Sequence, residues 1–200
     1  ARVNAGGLLE VGPASAGALP GPICYGRGGN LPTISDANLL LGRLNPAGFK
    51  SLDASSATDH VAEIFASELA APLGLDVTAA AAAVIRIANT KMAGAIRMVS
   101  LSLGMDPRDF ALFAFGGAGP LHAVSLAREM GVPRVVIPCR PGITNALGCV
   151  VADLRHDFVN TVNRSLESVD MDQIHGIFVA QNGEGERLIA KEPVEVMDVK

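Results

Sequence analysis

The chain has 200 residues, 49% apolar and 18% charged, which is enough hydrophobic material for a sizeable core and too apolar for a disordered tail. Its 16 Lys and Arg against 20 Asp and Glu give a net charge of −4 with no basic stripe, and aromatic residues make up only 4%. Nucleic acid is therefore not an expected partner, either as a phosphate backbone or as a stacked single strand.

The apolar fraction is one of small side chains, with 30 Ala and 22 Gly. The uncharged stretch from Phe110 to Ala127 is broken by Gly116-Gly117-Ala118-Gly119-Pro120, so no membrane span is expected. Cys24, Cys139 and Cys149 form no CxxC pair and are odd in number, which speaks against a disulfide framework and a zinc ribbon and fits a reducing compartment, the cytoplasm. No charged segment followed by an apolar one opens the chain, so no secretory signal is expected.

In chain order, residues 2–11 place apolar residues on either side of Ala5-Gly6-Gly7, the pattern of a short hairpin. Residues 12–33 hold four prolines and six of the glycines, a long loop of the kind that is more often functional than not. Ser35 reads as the N-cap of a helix from Asp36 to Leu41 that closes at Gly42. Val61, Ile64, Phe65, Ala66 and Leu69 have helical spacing within a helix from Ser55 to Leu73, ended by Pro72 and Gly74. Thr78 reads as the N-cap of a second helix running to Gly104, with Val84, Ile87, Ala88, Met92, Ala95, Ile96 and Val99 as its core stripe and Asn89, Lys91 and Arg97 on its solvated face.

Phe110 to Phe115 is a continuous apolar run, as expected of a parallel strand covered on both faces. A helix from Pro120 to Met130 follows, with its apolar face on Leu121, Val124, Leu126 and Ala127, and then a strand from Pro133 to Pro138. Residues 110–138 thus have the length of a parallel crossover. A helix over 143–152, a strand over 158–162, a helix from Asp170 that fades at Asn182-Gly183, and a strand over 195–199 complete the expected elements.

The sharpest chemical signal is Gly116-Gly117-Ala118-Gly119, glycines between a buried strand and a helix start. Two readings are open: backbone amides and a helix N-terminus that receive a phosphate, or glycines that merely permit a tight turn. The loop is neither GxGxxG nor GxxxxGK[ST]. Cys24-Tyr25-Gly26-Arg27 brings a thiol, a phenol and a guanidinium together, yet Cys24 has no nearby base and reads as a structural thiol. His60, His122, His156 and His175 have no metal-ligand spacing, and no metal site is read. His122, in the first turn after the glycines, reads as a solvated or capping residue before a catalytic one. The clusters Asp106, Arg108, Asp109 and Asp153, Arg155, His156, Asp157 read as ion-paired loops.

Taken in order, GPICYGRGGNLPTISDANLLLGRLNPAGF, IANTKMAGAIRMVSLSLGMDPRDFALFAFGGAGPLHAVSLAREMGVPRVVIP and PGITNALGCVVADLRHDF resemble the hydantoinase A and 5-oxoprolinase family over about residues 6–160. The resemblance implies an α/β fold: a partial actin-like ATPase lobe of the sugar-kinase and heat-shock type, with a mixed, mainly parallel sheet and flanking helices. Residues 1–157 would be the second half of one such lobe, and 158–200 a connection to a following C-terminal domain. It also implies ATP and Mg2+, a cyclic amide substrate such as a hydantoin or 5-oxoproline, and phosphorylation of the substrate carbonyl oxygen before the ring opens. Gly116, Gly117, Ala118 and Gly119 would face the nucleotide; catalytic residues are not assigned. The acidic Asp-Gly-Gly-Thr type loops that hold phosphates in this superfamily are absent from these residues, so the segment alone is expected to be inactive. The expected partners are a hydantoinase B-type subunit or fused domain, within an oligomer. The alternatives are a subunit of an ATP-dependent ketone carboxylase and a structural or subunit-docking module.

Overall fold

The computed structural model describes residues 1–48 and 54–192; the strand expected over 195–199 lies outside them. Contacts divide the chain into one compact unit from Ala1 to Gly148 and a second that begins at Cys149.

The first unit opens with an antiparallel hairpin, β1 (Arg2–Val3) on β2 (Leu9–Glu10), with Arg2 opposite Glu10. The expected Ala5-Gly6-Gly7 turn joins them, and Asn4 Oδ1 accepts from the amides of Gly6 and Leu8. Helix α1 spans Ile34–Leu40 and is capped by Thr33, not by Ser35. Thr33 wins because Asp36 stands three residues on, so the Thr33 hydroxyl accepts from the Asp36 amide at 3.2 Å while the Asp36 carboxylate accepts from the Thr33 amide at 3.0 Å.

Helix α2 (Ala54–Phe65) continues through one wide turn of π pitch at Ala66–Ala70 into α3 (Ala71–Leu73). Pro72 falls inside this final turn and brings no N–H for the carbonyl of Glu68, four residues back, which lies in the widened stretch. Helix α4 (Val77–Ser102) is capped by Asp76, whose carboxylate accepts from the Ala79 amide at 2.7 Å; Thr78 is already helical. Helices α1, α3 and α4 each end at a glycine with positive φ, namely Gly42, Gly74 and Gly104. In each case the residue after the glycine donates back five positions, as Met105 does to Ser100.

The main core lies where these helices meet. Val61, Phe65, Leu69, Ala80, Ala81, Val84, Ile85 and Ala88 pack with Ala37 and Cys24, and the alanine-rich face of α4 lets its neighbours approach closely. The buried stripe therefore differs from the expected one at its far end: Ala93 is buried, whereas Ala95 is exposed and Val99 is 62% exposed. No single described helix is long and apolar enough to cross a membrane, and the pair α2–α3 and α4 is bent by 80°.

The crossover unit is as expected in outline. Strand β3 (Ala111–Phe113) pairs in parallel with β4 (Arg134–Val136), Leu112 opposite Val135, and helix α5 (Gly119–Met130) connects them. Its buried face is His122, Ala123, Leu126, Ala127 and Met130, and Val124 is half exposed. The mixed, mainly parallel sheet is not what the described residues form: they make two separate strand pairs, one antiparallel and one parallel. The run from Phe110 to Phe115 yields a three-residue strand whose Phe110, Phe113 and Phe115 are 48%, 50% and 41% exposed, because one neighbouring strand covers neither face. Helix α6 (Thr144–Val151) follows as expected.

In the second unit, residues 158–162 form no strand. Helix α7 (Met171–Ile189) is capped by Asp170 and does not fade at Asn182-Gly183. Along its last turns Glu184 and Arg187 pair at 2.6 Å, and Phe158 lies against Gly185.

Candidate functional site

The glycine loop leaves the carboxyl end of β3 and turns into α5. Gly116 has a φ of +82°, a conformation that suits glycine, and its amide donates to the Pro141 carbonyl at 2.8 Å. The positive φ thus falls on Gly116 and not on Gly117. A Cβ built at Gly116 or Gly117 would meet no atom within 4 Å, so both face open space. Among the described residues, no protein acceptor takes the amides of Gly117, Ala118 or Gly119. Pro120 then occupies the first turn of α5, where an amide would lack a partner anyway. Beside the loop, Leu112, Phe113, Ala114, Phe115, Gly119, Ala123 and Leu126 line a shallow apolar cleft of about 180 Å³.

His122 is not the solvated or capping residue that its place near a helix start suggested. It is 5% exposed, and its Nδ1 lies 2.7 Å from Oδ1 of Asn89, itself 6% exposed on α4. Burial first, and then the positive charge of Arg43, push the imidazole below its usual pKa, which favours the neutral ring, and Nδ1–H donates to Asn89 Oδ1, which can only accept. Asn89 is correspondingly not on a solvated face. Its spacing held the signal, since Ala81, Ile85, Asn89 and Ala93 follow one another at steps of four and all are buried. The exposed Lys91 and Arg97 also have partners: Lys91 Nζ donates to the Val11 carbonyl at 2.6 Å, and Arg97 donates to the Glu129 carbonyl at 2.8 Å.

The long loop is ordered by Asp36. Its fully buried carboxylate accepts from the amides of Ile23 (3.3 Å), Cys24 (2.8 Å) and Thr33 and from the Thr33 hydroxyl (2.6 Å). Cys24 is fully buried, and desolvation followed by the neighbouring Asp36 charge drives its thiol pKa far up, which makes it a protonated structural thiol. Arg27 lies over the Tyr25 ring, 5.8 Å from its centroid. Arg108 pairs with Asp106 and Arg155 with Asp157, as the ion-paired reading of those loops expects; the Arg108 guanidinium holds the Asp106 carboxyl down to about 2. Among the described residues, no group of three or more His, Cys, Asp or Glu is placed to hold a metal ion.

Comparison with known proteins bears on what this arrangement serves. Caprolactamase subunit alpha of Pseudomonas jessenii is 43% identical over 175 residues, covering 84% of this chain and 25% of the relative. The acetophenone carboxylase gamma subunit of Aromatoleum aromaticum is 41% identical over 162 residues, 78% of this chain and 21% of the relative. The chain spans about a quarter or less of the length of the relatives it matches. The crystal structure of ATP-dependent caprolactamase from Pseudomonas jessenii superposes with a TM-score of 0.71 at 36% identity, covering 99% of this chain and 29% of that one. The family model described as hydantoinase/oxoprolinase matches residues 1–158, so more than three quarters of the chain, glycine loop included, places it in the hydantoinase/oxoprolinase family.

Proposed function

We propose that the protein is an ATP-dependent hydrolase of a cyclic amide and that the Gly116–Gly119 loop meets the nucleotide. The observation that carries the loop assignment is its open middle: Gly117 faces empty space, and the amides of Gly117, Ala118 and Gly119 have no protein acceptor at the N-terminus of a 12-residue helix. An anionic phosphate fits such donors. ATP supplies a γ-phosphoryl group for the substrate carbonyl oxygen, which makes a resonance-stabilised amide open to attack by water. The likeness to caprolactamase supports the cyclic amide. The proposal includes Mg2+, which would neutralise charge on the phosphates. The actin-like lobe, a hydantoinase B-type partner, an oligomeric assembly and a cytoplasmic location belong to the same proposal; the subunit names of the relatives support the partner.

The likeness to acetophenone carboxylase favours a second reading, in which the same phosphoryl transfer activates a ketone enolate for carboxylation and no amide is cleaved. Incubating the intact protein with its partner subunit, ATP, Mg2+ and caprolactam, hydantoin or 5-oxoproline is expected to release the ring-opened acid with phosphate. Bicarbonate-dependent consumption of a ketone, with no ring opening, would give the second reading instead. For the loop, Gly117→Val adds a branched side chain into open space and is expected to melt like the parent while binding ATP at least about tenfold more weakly, a loss of about 1.4 kcal/mol. Unchanged ATP affinity would leave the glycines as a turn.

A further inference from the structure

We infer that Asn89 and His122 are positioning residues that hold the glycine loop in its ligand-accepting shape. The starting point is how α5 lies on α4. Asn89 meets His122, and Arg97 meets Glu129 through both its carbonyl, at 2.8 Å, and its carboxylate, at 4.0 Å. From one tie to the other the chain advances in the same direction on both helices, by about two turns on each, or roughly 11 Å of axis. The helices are therefore parallel neighbours with a polar tie at each end, and Ala93, Leu126 and Met130 fill the space between.

The tie near the loop is the unusual one. Asn89 stands on α4 where the main core ends at Ala88 and the smaller cluster begins at Ala93. Both partners are more than nine-tenths buried, and burying a neutral polar pair gains little over an apolar pair of the same volume. An apolar pair also tolerates sliding, whereas a buried hydrogen bond fixes one register. The register fixed here is that of the first turn of α5, since His122 lies three residues beyond Gly119. On the other side, the Gly116 amide is held by the Pro141 carbonyl. The loop is thus tied at both ends and free in its middle, where Gly117, Ala118 and Gly119 keep their amides unused.

The direction of the hydrogen bond follows from its acceptor, since Asn89 Oδ1 is a carbonyl oxygen with no proton to give. Desolvation and then Arg43, in the segment after α1, lower the His122 pKa and so favour the neutral ring. It has one N–H to give, and Asn89 Oδ1 takes it at Nδ1. No second tie to the Nε2 side is needed for this role, and that makes the proposal separable from one in which His122 touches a ligand.

The ATP arm of the test rests on the proposed function; the exchange arm does not. In the intact protein, His122→Asn puts an amide nitrogen near the place of Nδ1, His122→Gln reaches the place of Nε2 instead, and Asn89→Leu removes the acceptor. Hydrogen exchange is read on the peptide spanning residues 114–123, where the Gly116 and Leu121 amides are bonded to Pro141 and Ala118. His122→Asn is expected to keep parent-like protection, and His122→Gln and Asn89→Leu to exchange at least about fivefold faster there. ATP affinity is expected to follow, with His122→Asn within about threefold of the parent and the other two at least about tenfold weaker. Where Asn89→Leu is insoluble, His122→Gln decides alone.

Protection retained in His122→Gln overturns the inference. So does the reverse pattern, in which His122→Gln binds ATP like the parent and His122→Asn does not, because the working atom is then Nε2. A parent that shows the expected exchange pattern but binds no ATP overturns the proposed function and leaves the positioning role standing.

Discussion

Asp36 gathers chain from two places, residues 23–24 and 33, onto the first turn of α1, and it does so with a carboxylate that no solvent reaches. Asp36→Ala would leave the amides of Ile23, Cys24 and Thr33 in a cavity without acceptors. At about 1–3 kcal/mol for each buried group left unpaired, a loss of at least about 3 kcal/mol is expected, seen as a lowered urea midpoint. Asp36→Asn should also lower it, because an NH2 group would face a donor. A midpoint equal to the parent's would mean that the long loop is held by something else. At His122 the sign of the pH effect can be worked out. Its pKa is lowered on folding, so the unfolded chain takes up the proton first as pH falls. The stabilisation is complete above the unfolded value of about 6.5 and is lost as pH falls through the lower folded value. Urea midpoints at pH 7.5 and 5.5 are expected to differ more for the parent than for His122→Asn, and equal differences would contradict a buried neutral imidazole.

At the scale of elements, the turn into α5 separates two glycines that look alike in the sequence. Gly116 has a positive φ and Gly117 does not, although both have room for a methyl group. Gly116→Ala should therefore cost about 1–2 kcal/mol of stability through backbone strain while Gly117→Ala leaves the melting temperature nearly unchanged. Equal melting temperatures would put the strain elsewhere. The crossover unit itself was legible because a strand-length apolar run, a glycine turn, a proline in the first helical turn and a second apolar run are all local signals. Each cap lies two residues before the one the sequence favours, Thr33 before Ser35 and Asp76 before Thr78, since two acceptable capping residues stand close together in each case. What decided was the reciprocal bond from Asp36 to Thr33 at one and the Asp76 carboxylate at the other. Past Gly183 α7 has the Glu184–Arg187 pair and Phe158 beside it, and propensity alone gives no sign of a side chain arriving from 27 residues upstream. Likewise Asn89 and His122 are 33 residues apart, and only the stripe of Ala81, Ile85 and Ala93 marked Asn89 as inward-facing.

Over the whole molecule, the helical part with the hairpin and the crossover unit differ in how completely they are covered. Around α1, α2 and α4 the core includes fully buried Val61, Phe65, Leu69 and Val84. The cluster under α5 has three buried members, and the parallel pair β3–β4 leaves Phe110, Phe113, Phe115, Val136 and Ile137 between 41% and 50% exposed. A two-stranded parallel pair with apolar faces is not a structure that stands in water by itself. The chain spans about a quarter or less of the length of its relatives, and the glycine loop leaves from this less covered part. On the proposed function the described residues would supply one wall of a nucleotide site, free amides and an open glycine, and among them no group of three or more His, Cys, Asp or Glu lies together. Phosphoryl transfer depends on positioning and on neutralising charge around the phosphates, and amides at one helix end account for a small part of both. The 200-residue chain on its own is therefore expected to hydrolyse ATP negligibly, even where it binds ATP weakly. A phosphate-release assay comparing this chain with the intact protein at equal molar concentration reads the difference directly. Turnover by the chain comparable with that of the intact protein would mean that the phosphates are held by residues of these two units after all, and would move the search for the catalytic groups back onto them.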